Sequence, residues 1–403
     1  MIKRSDFPIL QKKINGRPLV YFDNAATTQK SNFVLKALGD YYRHYNSNVH
    51  RGSNPLADAA TRRYEAARDI VANFIKAERE EIIFTRGTTE AINLVARTWG
   101  EANLKAGDVV ILSIAEHHAN IVPWLQRQAK QKIKIKYIPL HSDGTWNLAA
   151  AKRLLNHPRV KLLAVAQVSN VLGIINPVSE LIRLAHRRGI ITLVDAAQSV
   201  AHLKIDVRRL DCDFLAFSGH KIGGPTGVGV LFGRRKILET MPAFLGGGDM
   251  ISFVTTKNFG LNDLPYKFEA GTPDIAGVIG LGAACRYLEK LDYQQIARQE
   301  KKLTAYFLKK INRLNFVKVL GRASSKLPVF SLILDGLHPH DAADLLGQEG
   351  IILRAGHHCA QPLHDFFKTP ASLRASLSFY NTTGEIDFFI TKLRELQRAW
   401  RRL

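Results

Sequence analysis

Short apolar runs alternate with amphipathic segments between residues 80 and 235 of the 403-residue chain. Runs of this length are typical of buried β-strands, and the amphipathic segments between several of them are typical of helices. The predicted strands are EEIIF, DVVILSI, IKIKYIPL, KLLAVAQVS, GIITLVD, DFLAFS and GVGVLF, and one predicted helix between two of them is PVSELIRLAHRR. This rhythm predicts an α/β fold with a mostly parallel central sheet covered by helices on both faces.

The pattern changes on both sides of this region. Before it, a helix carries an apolar stripe at Leu56, Ala60, Tyr64, Ala67, Val71 and Phe74. After about residue 290, a smaller α+β domain is predicted from a long charged helix and the segments PVFSLIL, HDAADLLGQEG, IILRAG and EIDFFITKLRELQRAW. We therefore predict a large domain over residues 20–290 and a small C-terminal domain over 291–403, joined by the N-terminal segment 1–19.

Composition places the chain among globular proteins, with 46% hydrophobic and 23% charged residues. No apolar run approaches the roughly 18 residues that span a bilayer, and the first residues lack a signal-peptide core. The three cysteines are odd in number and far apart, which argues against a disulfide framework. We expect a soluble cytoplasmic protein with no membrane partner, in which Cys212 and Cys285 are buried structural thiols.

The net charge of +22 raises the question of nucleic acid. The basic residues are dispersed in short groups, however, and no nucleic-acid-binding motif is recognisable. We interpret the charge as a solvated basic surface that attracts anionic partners weakly. Nucleic acid is not an expected partner, although non-specific binding at low salt stays open.

The stretch RAGHHCAQP, residues 354–362, places Cys359 directly after two histidines and a short distance after Arg354. A cysteine beside histidines is compatible with a metal site, and also with a thiol that nearby positive charge keeps as a thiolate. We favour the nucleophile, because His357 and His358 are adjacent on a predicted extended loop and no second cysteine is near. The metal site stays as the alternative.

Polar residues gather where predicted strands end, which is where open α/β sheets bind ligands. In FTRGTTEAIN, Thr88 and Thr89 begin a predicted helix and offer N–H groups and hydroxyls to a phosphate, although an ordinary helix cap would use the same residues. Asp195 ends a buried strand and needs a charged or hydrogen-bonding partner there. Lys221 follows another strand, and the glycine-rich turn after it favours a role facing a ligand over the usual surface position.

These residues together match the needs of an aldehyde cofactor that carries a pyridine ring and a phosphate. Such a cofactor requires a lysine, an acid for the ring nitrogen, a phosphate cradle and a flat group to stack on the ring. The chain offers Lys221, Asp195 and His117, the first histidine of EHHAN. Its candidate phosphate cradle is Thr88, Thr89, Ser218 and His220.

The sequence resembles the pyridoxal-phosphate-dependent cysteine desulfurases of the SUF type, which belong to the class V aminotransferase-like enzymes. The matching blocks run in the family's order almost from end to end: FDNAATT, VHRG, RGTTEAIN, EHHANIVPW, SNVLG, VDAAQS, SGHK, GPTG, EAGTPD, RAGHHCAQP and RASLSFYNT. The resemblance implies pyridoxal 5'-phosphate as the cofactor, the large-domain and small-domain architecture of PLP-dependent transferase fold type I, and a homodimer.

By resemblance, each matching residue has an expected role. Lys221 would hold the cofactor covalently, Asp195 would pair with its ring nitrogen, and His117 would stack on the ring. The phosphate would be bound by Thr88, Thr89, Ser218, His220 and, from the other subunit, Thr272. The cofactor's phenolic oxygen and the substrate edge would be contacted by Asn170 and Gln198. Arg374 would clamp the substrate carboxylate, with the substrate side completed by Arg354, Asn24, Ala25, Ala26, His50 and Arg51.

The implied activity converts L-cysteine to L-alanine. Lys221 would remove the Cα proton, and Cys359 would take the sulfur as a persulfide for iron–sulfur cluster assembly. We expect the charges of Arg354, His357 and His358 to lower the pKa of the thiol, and His117 to move a proton.

The short tether of Cys359 implies a sulfur-acceptor protein of the SufU or SufE kind, and the run CAQPL favours the SufU kind. Selenocysteine lyase, with L-selenocysteine as substrate, and cysteine sulfinate desulfinase are the alternative enzymes. A non-catalytic basic scaffold is the alternative of another class.

Overall fold

The computed structural model describes residues 3–400, so the outermost residues of the two predicted end segments, 1–2 and 401–403, lie outside it. The strands within this range are β1 Lys13–Ile14, β2 Arg17–Pro18, β3 Val20–Tyr21, β4 Ile82–Thr85, β5 Val109–Ser113, β6 Lys134–Ile138, β7 Val160–Ala166, β8 Ile191–Asp195, β9 Phe214–Ser218, β10 Gly229–Gly233, β11 Ile251–Val254, β12 Phe259–Leu261, β13 Val317–Val319, β14 Val329–Leu334, β15 Ile351–Ile352, β16 Arg354–Gly356 and β17 Ser372–Ser376.

The helices surround these strands. They are α1 Asn32–His44, α2 Pro55–Ile75, α3 Thr88–Arg97, α4 Trp99–Asn103, α5 Val122–Gln131, α6 Leu148–Leu155, α7 Val178–His186, α8 Val207–Leu210, α9 Arg235–Thr240, α10 Ile275–Leu291, α11 Tyr293–Ile311, α12 Pro339–Gln348, α13 Gln361–Phe366 and α14 Thr383–Trp400. Within residues 3–400, none of them is both long and apolar enough to cross a membrane.

The seven predicted strands of the alternating region form one sheet, in the order β4-β10-β9-β8-β7-β5-β6. Strands β5 to β9 run parallel, whereas β10 pairs antiparallel with both β4 and β9. The predicted mostly parallel sheet is therefore confirmed. Because β7, β8 and β9 point the same way, their last residues Ala166, Asp195 and Ser218 lie along one edge.

Both faces of this sheet are buried, as a parallel sheet requires. In β5, Val109 and Ile111 pack into one apolar cluster with α2, α7 and α10. Val110 and Leu112 point to the opposite face and pack with α3 and α5. The predicted stripe on α2 is buried as expected except at Leu56, which is 50% exposed. Leu56 lies in the first turn, where its N–H bonds to the capping side chain of Asn54.

A second apolar cluster joins α11, α12 and α14 to a smaller sheet of order β13-β14-β17-β16. The early residues Val20 and Phe22 belong to this cluster too. The predicted single strand IILRAG is split in two, because Ile351–Ile352 pairs in parallel with β3 while Arg354–Gly356 pairs antiparallel with β17. The N-terminal strand β3 therefore lies directly beside the segment that leads to Cys359.

Candidate active site

A cavity of about 210 Å³ lies at the edge where β7, β8 and β9 end. Open α/β sheets bind their ligands at this edge. Fourteen of the predicted site residues line the cavity: Ala25, Ala26, Thr88, Thr89, His117, Asn170, Asp195, Gln198, Ser218, His220, Lys221, Arg354, Cys359 and Arg374. The fold thus brings together residues that lie up to 349 positions apart in the sequence.

Lys221 and Asp195 form the charged centre of the cavity. Burial lowers the pKa of the Lys221 ammonium from 10.5 to about 8, and the negative charge of Asp195 only partly opposes this. Asp195 is 5% exposed, and burial raises the pKa of its carboxyl, against the hydrogen bond from Ala197 N–H to Oδ1 at 2.9 Å and the charge of Lys221. A lysine with this pKa is unprotonated in a usable fraction of molecules near neutral pH.

His117 is a neutral imidazole at neutral pH. Burial, followed by the charge of Lys221, lowers the pKa of the ring from 6.5 to about 3. Its Nδ1 accepts a hydrogen bond from the backbone N–H of Ala119 at 3.0 Å. We therefore assign the ring proton to Nε2. The local cause is the turn after β5, where the chain enters a 3-10 helix over His118–Asn120 and His117 is its N-cap.

The beginning of α3 forms an anion cradle at one end of the cavity. Ser218 Oγ accepts the N–H of Thr88 at 2.8 Å and bonds its hydroxyl at 2.7 Å. Gly87 precedes the helix with φ 153°, and a Cβ there would lie 3.1 Å from Ser218 Oγ. Burial lowers the pKa of His220 to about 4, so this ring is a neutral hydrogen-bonding group. α3 is ten residues long, and its N-terminus contributes the positive end of the helix dipole to the site.

Arg374 is held for anion binding at the other side of the cavity. Its side chain is buried and donates from Nη2 to Asp23 Oδ1 at 3.1 Å and from Nη1 to the carbonyl of Asn170 at 3.0 Å. The buried Nε atom has no hydrogen-bond partner among residues 3–400. Asp23 also accepts a bond from Arg354 Nε at 3.2 Å, so one carboxylate orients two guanidinium groups. An incoming carboxylate would meet a fixed, planar donor set.

Cys359 lies on a tight turn between β16 and α13, and its side chain is solvent-exposed. His358 and Cys359 both have positive φ angles, 51° and 56°, which cost a non-glycine residue roughly 1–3 kcal/mol each and persist only where neighbouring groups hold them. The neighbours are close: the N–H of His118 donates to the Cys359 carbonyl at 2.7 Å, and Asn170 Nδ2 donates to the His358 carbonyl at 2.7 Å. The turn is thereby tied to two strand ends of the large sheet.

His358 does not supply the positive charge expected from the sequence. Burial, followed by the charge of Arg374, lowers the pKa of its ring to about 2. Its Nε2 faces the hydroxyl and carbonyl of Ser372 at 3.0 and 3.1 Å. Among residues 3–400 no group of three His, Cys, Asp or Glu side chains could hold a metal ion. The other two cysteines, Cys212 and Cys285, are fully buried as predicted, and burial raises the pKa of both thiols.

Comparison with known proteins identifies the family to which the chain belongs. The family model "Aminotransferase class-V" matches residues 20–389. The chain belongs to the class-V aminotransferase family. A probable cysteine desulfurase of Halalkalibacterium halodurans is 49% identical over 94% of each chain. A cysteine desulfurase of Synechococcus elongatus is 46% identical over 98% of this chain, which spans 63% of the length of that relative.

A solved structure with the same fold is also that of a cysteine desulfurase. The apo structure of a cysteine desulfurase from Thermococcus onnurineus NA1 has a TM-score of 0.94 and 39% identity, covering 98% of this chain and 97% of that one. The fold predicted from the sequence is therefore confirmed, and so is the assignment to the class-V pyridoxal-phosphate enzymes with cysteine desulfurases as relatives.

The class-V cofactor, pyridoxal phosphate, fits the residues of the cavity. Lys221 would hold its aldehyde carbon, and Oδ2 of Asp195 is available for its ring nitrogen, since Oδ1 is taken by Ala197. The neutral ring of His117 would lie against its face. The N-terminus of α3 with Ser218 would receive its phosphate.

Four predicted residues of this class-V protein do not line the cavity of the single chain: Asn24, His50, Arg51 and Thr272. Thr272 is exposed and lines a different cavity, where Asn48 Nδ2 lies 3.4 Å from its hydroxyl. His50 is exposed and bonds Glu65 Oε1 at 2.7 Å. Thr272 was expected to act on the other subunit's site, so its role stays a prediction.

Two residues that the sequence-based set lacks lie next to predicted site residues. Asp23 precedes the predicted Asn24 and orients Arg354 and Arg374. Its position in the FDNAATT block was the available signal, but only the fold shows that two arginines converge on it. Glu116 directly precedes His117 and is fully buried, although a charged residue beside a histidine gives no sequence signal of burial.

Proposed function

We propose that the protein is a SUF-type cysteine desulfurase that converts L-cysteine to L-alanine and transfers the sulfur to Cys359 as a persulfide. The observation that carries this proposal is the single cavity that contains Lys221, Cys359 and Arg374. A lysine of lowered pKa, a thiol and a carboxylate clamp are the three groups that such a reaction needs. The 49% identity to a probable cysteine desulfurase supports the same activity.

Arg374 would place the substrate. Its guanidinium is charged and fixed by Asp23 and Asn170, and it would bind the α-carboxylate of the amino acid. Lys221 would act as the base at the substrate's Cα, because its pKa of about 8 leaves a fraction of the amine free near neutral pH. When bound, pyridoxal phosphate supplies an electron sink that weakens the bonds around the substrate's α- and β-carbons.

Cys359 would receive the sulfur. Its thiolate forms a new S–S bond with the sulfur of the substrate as the Cβ–S bond breaks. The electron pair of the broken bond goes to the substrate's carbon skeleton, which takes up a proton and leaves as alanine. Atoms and electrons balance in this step, because one thiol and one cysteine give one persulfide and one alanine without an external oxidant.

The turn that contains Cys359 determines where the transferred sulfur would be located. Bonds to His118 and Asn170 hold this turn against the large sheet, so the persulfide would stay at the mouth of the cavity. We propose that an acceptor protein of the SufU or SufE kind docks there and delivers the sulfur to iron–sulfur cluster assembly. We further propose a cytoplasmic homodimer in which Thr272 acts on the site of the other subunit and His50 lies at the substrate entrance. Each chain would divide into a large domain over residues 20–290 and a small domain over 291–403, joined by the segment 1–19.

The test removes the thiol and keeps a thiol control. Cys359→Ala should retain the visible absorption of the bound cofactor and its change when cysteine is added, but should lose persulfide and lose cysteine-dependent alanine formation by at least 100-fold. Cys212→Ala is the matched control, because Cys212 precedes β9 at the opposite edge of the sheet and should leave turnover unchanged.

The same variants separate the alternative activities. Unchanged alanine formation from cysteine by Cys359→Ala would refute the persulfide step. Faster turnover of selenocysteine or cysteine sulfinate by both proteins, independent of Cys359, would assign the enzyme to selenocysteine lyases or cysteine sulfinate desulfinases instead.

A further inference from the structure

His118 is a half-buried histidine to which the function described so far gives no role. It directly follows His117 and begins the 3-10 helix His118–Asn120. The residues that line the cavity include His117 but not His118. Two groups of His118 instead contact the segment that contains Cys359. Residues 118 and 361 are 243 positions apart in the sequence, so the fold alone creates this contact.

The backbone and the side chain of His118 bind the turn on either side of Cys359. The N–H of His118 donates to the Cys359 carbonyl at 2.7 Å, which is a short bond for backbone groups. The imidazole Nε2 of His118 accepts the N–H of Gln361 at 3.2 Å. We assign the ring proton to Nδ1, because a nitrogen that accepts a hydrogen bond is unprotonated.

The bond from Gln361 to His118 caps helix α13. The first N–H groups of an α-helix have no partner inside the helix and need one from outside. The N-cap residue of α13 is Ala360, which has no side-chain acceptor to offer them. The imidazole of His118 therefore supplies the acceptor for Gln361, the first residue of α13. The start of this helix, two residues after Cys359, is thereby fixed to the segment of His118.

The turn between β16 and α13 depends on such contacts. His358 and Cys359 both have φ angles in the left-handed region, which non-glycine residues keep only where neighbouring groups hold them. Asn170 Nδ2 holds the carbonyl of His358 at 2.7 Å. His118 adds one contact at the carbonyl of Cys359 and one at Gln361. Removal of the imidazole would leave the end of the turn with fewer constraints.

The segment that holds this turn also holds the ring of His117. The N–H of Ala119 donates to Nδ1 of His117 at 3.0 Å, and His118, between these two residues, binds the Cys359 turn. One short segment thus sets the positions of both the His117 ring and the Cys359 thiol. The distance between a reacting thiol and the group it attacks strongly affects the rate of their reaction.

We propose that His118 is a positioning residue whose imidazole caps α13 and thereby fixes the Cys359 turn relative to His117. The effect of His118 on sulfur transfer rests on the proposed function, whereas its effect on the turn does not. Since the backbone bond to Cys359 is made by an N–H that every variant except proline retains, substitutions at position 118 test the imidazole alone.

Three variants separate the acceptor from the rest of the side chain. His118→Ala removes the acceptor. His118→Gln retains one, because the oxygen of its side-chain amide can accept the N–H of Gln361. His141→Ala is the control for the loss of one histidine, because His141 is exposed in the turn between β6 and α6.

The first experiment measures amide hydrogen exchange by mass spectrometry on the full-length protein as purified. In His118→Ala, peptides from residues 357–367 should exchange about 3- to 10-fold faster than in the wild type, as expected for the loss of one helix cap. His118→Gln and His141→Ala should exchange like the wild type there. The proposal would be overturned by equal exchange in His118→Ala and wild type, by an acceleration spread evenly over the chain, or by a glutamine variant as fast as the alanine variant.

The second experiment measures the first turnover of alanine formation by protein loaded with pyridoxal phosphate, so that release of the sulfur does not limit the rate. In His118→Ala, the limiting rate at saturating cysteine should fall about 5- to 50-fold through the displaced thiol, and His118→Gln should recover most of it. The half-saturating cysteine concentration should not rise, because Arg374 is unchanged. The visible absorption of the cofactor should stay the same, because Ala119 still holds His117.

The outcomes of the second experiment separate the two proposals. An unchanged limiting rate in His118→Ala, or a loss of rate explained by weaker cysteine binding, would refute the role of His118 in sulfur transfer. A wild type that forms no alanine from cysteine would refute the proposed function instead, and the exchange experiment would still decide whether His118 fixes the turn.

Discussion

Lys221 should lower the free energy of unfolding of the cofactor-free protein. In the cofactor-free protein the pKa of its ammonium falls from 10.5 to about 8, so its protonated form is less favourable in the folded chain than in the unfolded one. At about 1.4 kcal/mol for each tenfold change in proton affinity, this corresponds to about 3 kcal/mol of lost stability. The lysine is only partly buried and its amine can reach water through the cavity, so about 2 kcal/mol is the better expectation.

The replacement Lys221→Met should therefore stabilise the cofactor-free protein by about 2 kcal/mol at pH 7. The sign follows from proton binding: between pH 8 and 10.5 the unfolded chain holds a proton that the folded chain has released. The penalty is complete below about pH 8 and fades toward pH 10.5, so the advantage of the methionine variant should shrink over that interval.

Urea unfolding of both proteins, monitored by circular dichroism at pH 7 and pH 10, measures this difference. Lys309→Met is the control, because Lys309 is exposed on α11 and should give no comparable gain. A methionine variant that is equally or less stable at pH 7, or an advantage that does not change with pH, would contradict the reasoning.

Two further predictions concern the anion sites. Arg374→Lys should raise the KM for cysteine about 10- to 100-fold in an alanine-formation assay. The reason is that a single ammonium group cannot replace the bonds to Asp23 and Asn170 and also bind a carboxylate. An unchanged KM would exclude Arg374 as the group that binds the substrate carboxylate. Gly229→Ala should lower the free energy of unfolding by about 1–3 kcal/mol and release cofactor during dialysis, because the new Cβ would lie 2.4 Å from Gly87 Cα, beside the anion cradle. Gly347→Ala in α12, which has open space at that position, should instead be neutral or stabilising in the same urea titration.

The sequence predicted the large sheet well because all of its strands except the edge strand β6 are buried over nearly their whole length. In DVVILSI, residues 109–112 form an unbroken apolar run that is typical of a buried strand, and the structure has a strand over Val109–Ser113. β17 was missed for the opposite reason. Its segment SLRAS contains two serines and an arginine, although all five residues are buried, and the arginine is accommodated because Arg374 has Asp23 as a partner. The exposed hairpin of β11 and β12 likewise lacks a pattern that distinguishes it from a loop.

The site was predictable where chemistry demands one residue type. Lys221, Asp195 and Cys359 have few substitutes in their expected roles, and the cavity contains all three. The ionisation state of a histidine is different, because it depends on neighbours that only the fold supplies. His358 was expected to be a source of charge, yet it is buried beside Arg374 and is neutral.

The two ends of the chain meet at the anion clamp, since Asp23 bonds Arg354 and Arg374 across 331 and 351 positions of sequence. A ribosome releases residues in order, so Asp23 emerges long before either arginine exists. A nascent chain that has been synthesised only as far as Lys221 contains Asp23 but neither Arg354 nor Arg374. The two arginines therefore gain their carboxylate partner, and the site becomes complete, only late in synthesis, long after Asp23 and Lys221 have been made.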